Sequence, residues 1–412
     1  MERLGFHYYP DTNHYRQSDL NKWLPELINL GASWLVMHAP YKRAIPEFFI
    51  KGLIKSGINP ILQYNMKIDQ SSNTDDFNVI LHAYAKWGVK NIIFFDRPNM
   101  QASWSPSLWL KYDPVDKFLD IFAPLAKQLI SHKITPLFPP LEPGGDYWDT
   151  AFLRSALQGL SRRGEKDILD KLVITCYSSP RSKPLNWGAG GQERWPDSRP
   201  YSKSAKGQDH FGFRIFDWYI TIVKAVLMET KPVFLLGLNG EGYRKQSNPY
   251  LDIAKLLAYE ELKDVDPLPN EIIGGAFELP QFTKNQEIYS KNISTLNEEK
   301  IIKSIKEWII ERDRSSSKEP ISTFRIKHYL LLPTYDWGIA DWHLDVIRPY
   351  VKKYKPTIGY SLIEASHAQR VTVIGGNQLF PEEELRKLRN NGVVVERIEG
   401  DGTEIATVLA KH

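Results

Sequence analysis

Carboxylates stand at or just past the ends of several apolar runs in this chain, where acid–base chemistry becomes possible. Asp96 follows Asn91-Ile92-Ile93-Phe94-Phe95, and Glu142 and Asp146 follow Thr135-Pro136-Leu137-Phe138. Glu241 lies in Asn239-Gly240-Glu241-Gly242-Tyr243, and Glu278 follows Ile272-Ile273-Gly274-Gly275-Ala276-Phe277. Cleaving a glycosidic bond takes two such groups, about 5–5.5 Å apart for retention or roughly 6.5–9.5 Å for inversion. Each candidate also has a plainer reading. Glu142 could cap the Pro143-Gly144-Gly145 turn, Glu278 could be a hydrogen-bonded strand-end carboxylate, and Asp96 could pair with Arg97 beside it. Arg97 itself keeps its proton at any working pH and cannot be the acid.

Other groups could bind a ligand rather than transform it. His7 and His38 lie near strand ends, suited to hydroxyls or to a satisfied place at the rim. No pair of histidines has metal-ligand spacing, so no metal is expected, and no cofactor either. The chain carries 12 Trp, 20 Tyr and 18 Phe, many beside Pro, Gly or Asp in loop-like segments. Trp104, Trp109, Tyr147, Trp148, Trp187, Trp195, Tyr201, Trp337 and Trp342 are examples. Such rings could stack on the C–H faces of pyranoses or cover the core beneath long loops. The single cysteine, Cys176, excludes an intrachain disulfide and reads as a small buried hydrophobe.

The elements that must position these groups alternate between apolar runs and amphipathic stretches. Strand-like runs are expected at Leu4–Tyr9, Ser33–His38, Pro60–Tyr64, Asn91–Phe95, Thr135–Phe138, Leu172–Cys176, Pro232–Leu236 and Ile272–Phe277. Near-continuous apolar character marks strands buried on both faces of a parallel sheet. Helices are expected between them, the first starting at Asp19 with a Ser18 cap, and Gly31, Gly57 and Gly88 each stop a helix before a strand. Eight strand–helix units predict an α/β fold, a (β/α)8 TIM barrel. A doubly wound sheet is disfavoured, since no Gly-rich phosphate fingerprint follows the first strand. About thirty residues between strand six and the next helix, Ser178 to His210, read as an ordered lid or cleft wall. The expected domains are a barrel over 1–313, a linker over 314–322 and a small α/β domain over 323–412.

Bulk properties narrow the field. The balance of 53 Lys+Arg against 49 Asp+Glu is too even to argue for nucleic acid or an anionic membrane surface. No apolar run is long enough for membrane insertion and the N-terminus has no signal-like segment. The expectation is a cytoplasmic protein, or an extracellular one if the chain is a trimmed form of a secreted protein. Oligomeric state is left open.

The barrel segments resemble the clan of (β/α)8 glycoside hydrolases that carry one glutamate after strand four and another at strand seven. The resemblance covers roughly residues 4–280. It rests on Asp96-Arg97-Pro98-Asn99 after strand four, on the stretch from Pro140 to Leu160, on Tyr177 after strand six, and on Lys231 to Tyr243 around strand seven. It implies a carbohydrate partner and a sugar cleft that includes Arg97, Asn99, His7, His38, Tyr177, Trp104, Trp148, Trp187 and Trp195. The clan's own carboxylates are absent: Arg97 stands at the first position, and Gly237 or Leu238 at the second. Catalysis would then fall to a relocated pair drawn from Glu142, Glu278, Glu241 and Asp96, with Glu142 and Glu278 favoured because strands five and eight stand in the same across-barrel relation as four and seven. Two other functions stay open: an inactive glycan-binding barrel, and an enzyme of another class that holds an anionic substrate with Arg97. The C-terminal stretch from Val371 to Ala410 resembles one bacterial cell-wall-binding repeat, on its Val-x-x-x-Gly-Gly strand and late Arg-Ile-x-Gly ending.

Overall fold

A computed structural model describes residues 3–68, 74–105, 109, 113–200, 209–239, 249–278, 303–312, 326–335 and 341–411. The chain divides into two compact units, Met1–Ile310 and Glu311–His412. The expected linker at 314–322 lies outside the described residues.

The first unit is a closed barrel of eight parallel strands in sequence order. They are β1 (Leu4–His7), β2 (Trp34–His38), β3 (Asn59–Tyr64), β4 (Asn91–Phe94), β5 (Thr135–Phe138), β6 (Val173–Tyr177), β7 (Val233–Leu238) and β8 (Ile272–Phe277). Helices follow the strands, among them Gln17–Asn29, Glu47–Lys55, Thr74–Trp87, Pro114–Ser131, Asp149–Arg162, Ile215–Leu227 and Pro249–Leu257. Gly31, Gly57 and Gly88 have φ of 62°, 78° and 97°, the left-handed conformation that ends a helix cheaply only at glycine. The first helix departs from expectation. Its cap is Arg16, whose N–H donates to the Asp19 carboxylate at 2.9 Å, so Ser18 lies inside the helix.

Side-chain alternation sorts the strands into two cores. Leu35, Leu62, Ile92, Phe138, Ile174, Leu235 and Phe277 point outward and pack with Phe49, Leu81, Phe118, Leu153 and Phe216 of the helices. Val36, Ile61, Ile93, Leu137, Val173, Leu236 and Ala276 fill the barrel interior. The alternation breaks twice. Phe94 and Phe95 both face the outer core because Phe95 has a φ of 71°. In β7 the pairing register shifts between Leu235 and Leu238, around Gly237 with a φ of 62°. Both breaks lie at the carboxyl ends of their strands, where they re-aim the residues that follow.

The second unit is a four-stranded parallel sheet in the order β10-β9-β11-β12. Its strands are β9 (Ile326–Leu331), β10 (Thr357–Gly359), β11 (Ala368–Ile374) and β12 (Val394–Ile398). One face packs Tyr329, Leu331, Val371 and Val373 against Phe380, Leu385 and Leu388. The other packs Leu330, Leu332 and Ile374 against Ile347, Tyr350, Ile405 and Leu409. Both faces of the sheet are covered, though polar residues such as Lys327, Arg370 and Glu396 interrupt its strands.

Candidate functional site

The carboxyl ends of the strands bring a layer of polar side chains to one end of the barrel. His38 of β2 and Gln63 of β3 stand two residues beyond the interior Val36 and Ile61, Tyr177 at the end of β6 packs against the interior cluster, and His7 ends β1. Glu278, two residues beyond Ala276, joins them from the end of β8. That end of a (β/α)8 barrel is where its chemistry is carried.

At the end of β4, the left-handed residues Phe95 and Arg97 bracket Asp96. Non-glycine residues in this conformation cost about 1–3 kcal/mol each and cluster where a side chain must be aimed. Asp96 accepts from the Tyr177 hydroxyl at 2.6 Å through Oδ1 and from Arg97 Nη1 at 2.8 Å through Oδ2. Arg97 Nε donates to Glu142 Oε2 at 2.8 Å, and the guanidinium lies 4.4 Å above the Tyr177 ring. Arg181, from the long insertion, approaches Glu142 Oε1 at 3.7 Å. One guanidinium therefore bridges two of the expected carboxylates. Its Nε and Nη1 are committed to the protein's own side chains, which argues against Arg97 as the holder of an anionic substrate.

Glu278 approaches the same cluster from the opposite strand. Its Oε2 accepts from Asn239 Nδ2 at 3.4 Å, and Asn239 Oδ1 accepts from the Ser179 hydroxyl at 2.6 Å. Gly237 makes this approach possible. A Cβ there would lie 2.8 Å from Tyr177 Cδ1 and 3.6 Å from Glu278 Oε1, so the missing side chain leaves the room those two occupy. The Gly237 N–H donates to His7 Nε2 at 3.0 Å, which fixes His7 as an acceptor there with its proton on Nδ1. Burial first, and then the neighbouring His38, hold the His7 pKa down at about 3. Burial likewise lowers that of His38 and, together with Asp96, keeps the Tyr177 phenol far above its ordinary value. The layer thus presents neutral imidazoles and a protonated phenol beside its carboxylates.

Several expected site residues turn out to be structural. Asn99 is 0% exposed. Its Nδ2 donates to the carbonyls of Glu142 at 2.8 Å and Tyr147 at 2.9 Å, and its Oδ1 accepts from the Glu142 N–H at 2.8 Å. It clasps the β4 and β5 loops together and offers nothing to a ligand. Trp104, 1% exposed, donates its indole N–H to the Pro98 carbonyl and belongs to the outer core, not to a sugar platform. Asp146 accepts from the Gln101 N–H at 2.8 Å and serves the same pair of loops. Trp148 is partly buried at the start of the Asp149–Arg162 helix. Trp187 and Trp195 pack on each other within the insertion, ring centres 5.4 Å apart, and Trp187 donates to the Asp209 carbonyl. Glu241, Tyr201 and Trp337 lie outside the described residues.

A cluster that sequence reasoning missed ties the insertion to the barrel wall. Asp149 and His210 are both 0% exposed. Asp149 accepts from His210 Nε2 at 3.0 Å, the Tyr219 hydroxyl at 3.0 Å and the Gly144 N–H at 2.9 Å. Burial would raise the Asp149 pKa, but these hydrogen bonds outweigh it and leave it below the ordinary value. The available signal was an acidic residue at the first turn of an apolar helix, with a histidine at the far end of the long loop.

No family model matches the chain, and no curated protein matches it. Among solved structures it is similar to a GH128 (subgroup II) endo-beta-1,3-glucanase from Sorangium cellulosum, with 12% identity over 67% of this chain and 86% of that one, at a TM-score of 0.35. It is similar to an L-ribulose 3-epimerase, with 10% identity over 77% of this chain and 97% of that one, at 0.39. A third is Saccharomyces cerevisiae Gas2p in complex with laminaritriose and laminaritetraose, 11% identical over 66% of this chain and 55% of that one, at 0.38. Similarity at this level adds nothing about chemistry to the barrel that the strand order already establishes.

Proposed function

We propose that the mouth of the barrel binds a carbohydrate and hydrolyses a glycosidic bond with Asp96 and Glu278 as the carboxylate pair. The observation that carries the reading is the convergence of Asp96, Tyr177 and Glu278 from β4, β6 and β8. Strands four and eight face each other across an eight-stranded barrel, as a bond held between two carboxylates requires. Hydrogen bonds from Tyr177 and Arg97 hold both oxygens of Asp96 in place, which suits a nucleophile or base. Glu278 is assigned the proton donor by its position opposite. Glu142, favoured from the sequence, is held by Arg97 and approached by Arg181, so we assign it to orienting that arginine.

A second reading also has an observation behind it. Arg97 is ion-paired with Asp96 and Glu142 at once, as it would be in a barrel kept only for binding glycans. Turnover separates the two. The full chain is assayed on aryl glycosides and neutral polysaccharides, β-1,3-glucan among them, with binding measured in parallel. Hydrolysis that falls by orders of magnitude in Asp96→Asn and in Glu278→Gln supports the pair. Affinity without turnover supports the binder, and neither affinity nor turnover removes the carbohydrate reading. For the C-terminal unit, the cell-wall-binding resemblance is a proposal that sedimentation with purified peptidoglycan tests.

A further inference from the structure

Two members of the polar layer have no part in the chemistry above. His38 and Gln63 occupy paired register positions on β2 and β3. Val36 and Ile61, two residues before them, lie in the barrel interior, so both side chains project from the inner face one layer higher. Gln63 is 2% exposed. Its Nε2 and the Nδ1 of His38 are both buried, and neither makes a hydrogen bond. A buried polar group left unpaired is destabilising, so two of them side by side mark a place where something else completes the bonding.

The surroundings select what that is. His7 is neutral and already engaged with Gly237, and Arg97 is turned to Asp96 and Glu142. Asp96 lies within electrostatic reach of His38 and disfavours an anion. The amide N–H of Gln63 repels a cation. A neutral hydroxyl suits both atoms, since it donates and accepts as required. Adjacent strands lie about 4.8 Å apart, a spacing that two neighbouring hydroxyls of one ring can bridge.

We propose that His38 and Gln63 form a subsite that seats two neighbouring hydroxyls of a neutral sugar ring at the β2–β3 side of the mouth. This rests on the carbohydrate reading and narrows it: the ring beside Asp96 is a neutral sugar bearing a free vicinal diol, not a uronic acid.

The test is calorimetric titration of the full chain carrying Glu278→Gln, which prevents turnover. The probes are neutral gluco-, manno- and xylo-configured tetrasaccharides and a tetrasaccharide of uronic acids. At least one neutral probe should bind, and more tightly than the uronate. Adding Gln63→Met, of similar shape but without the amide, should weaken that binding about tenfold, the worth of one good hydrogen bond. The same change should leave the unliganded protein as stable as its parent or more so, because a buried unpaired donor is gone. A purely structural glutamine would show the reverse, lost stability with affinity unchanged. His38→Phe serves as the second variant and should weaken binding similarly. Binding that survives both changes, or a preference for the uronate, overturns the subsite and leaves the carbohydrate reading standing. Failure of every probe to bind overturns both.

Discussion

Replacing Asn99 by alanine tests whether the residue is a clasp or a ligand group. The amide makes three hydrogen bonds between 2.8 and 2.9 Å and is fully buried. Its removal strands the Glu142 N–H and the Tyr147 carbonyl, while the Glu142 carbonyl loses one of two donors and keeps the Gly145 N–H at 3.0 Å. The turn is also built on it, since a Cβ at Gly145 would stand 2.4 Å from Asn99 Nδ2. Each of the two stranded groups costs about 1–3 kcal/mol, with water recovering part, so the total loss should be about 2–4 kcal/mol. Equilibrium urea unfolding should show this as a lower midpoint at unchanged slope. Asn99→Asp should be no better, because it trades two donated hydrogen bonds for a carboxylate facing two carbonyls. A loss under about 0.5 kcal/mol, of the size expected for an uninvolved surface position, would refute the clasp, and a simultaneous loss of sugar affinity would restore the ligand role.

Other consequences follow from the same geometry. Asp149→Asn should cost about 3–5 kcal/mol at neutral pH, as breaking a buried ionic hydrogen-bond set does. Because the folded Asp149 titrates below its unfolded value near 3.9, its contribution is present above that pH and lost as pH falls through the folded value; urea midpoints of the variant and wild type should therefore converge in acid. His7, with a folded pKa of about 3, cannot take up the proton that the unfolded chain binds near 6.5. Stability present above pH ~6.5 should fall away between there and pH ~3, and His7→Gln should lower the midpoint of acid unfolding; an unmoved midpoint would contradict the assignment. Gly237→Ala places a methyl 2.8 Å from Tyr177 Cδ1 at a φ of 62°. It should cost about 1–3 kcal/mol of stability and, by displacing Tyr177 from Asp96, lower kcat more than it raises KM.

Much of this was legible in the residues. Strands buried on both faces announce themselves as apolar runs, and Gly31, Gly57 and Gly88 punctuate the helix-to-strand joints, so every barrel strand was placed within a few residues. What escaped was short or interrupted. Thr357–Gly359 is too brief for any alternation to register, and Lys166–Lys171 is a helix too short and too charged to stand out. The site was harder because side-chain parity changes where the chemistry begins. Uniform alternation cannot foresee that Phe95 turns outward beside Phe94, or that Gly237 shifts the register of β7. Both changes come from left-handed backbone that only the closed barrel over-determines. Loop position also misled: Asn99 and Trp104 sit in a loop yet are buried, because that loop folds back onto the barrel. Gln63 belongs to no motif. Its signal was an amide at an inward position of an otherwise apolar strand.

Hydrolysis of the best neutral oligosaccharide bound by both, measured on the full chain and on Glu278→Gln, decides whether the barrel mouth is catalytic. The wild-type chain should cleave it, and the variant should bind it with similar affinity while kcat falls by a factor of roughly 10²–10⁴, the loss expected of a general acid. A variant that keeps its rate, or a wild-type chain that binds no neutral sugar, would contradict a catalytic mouth.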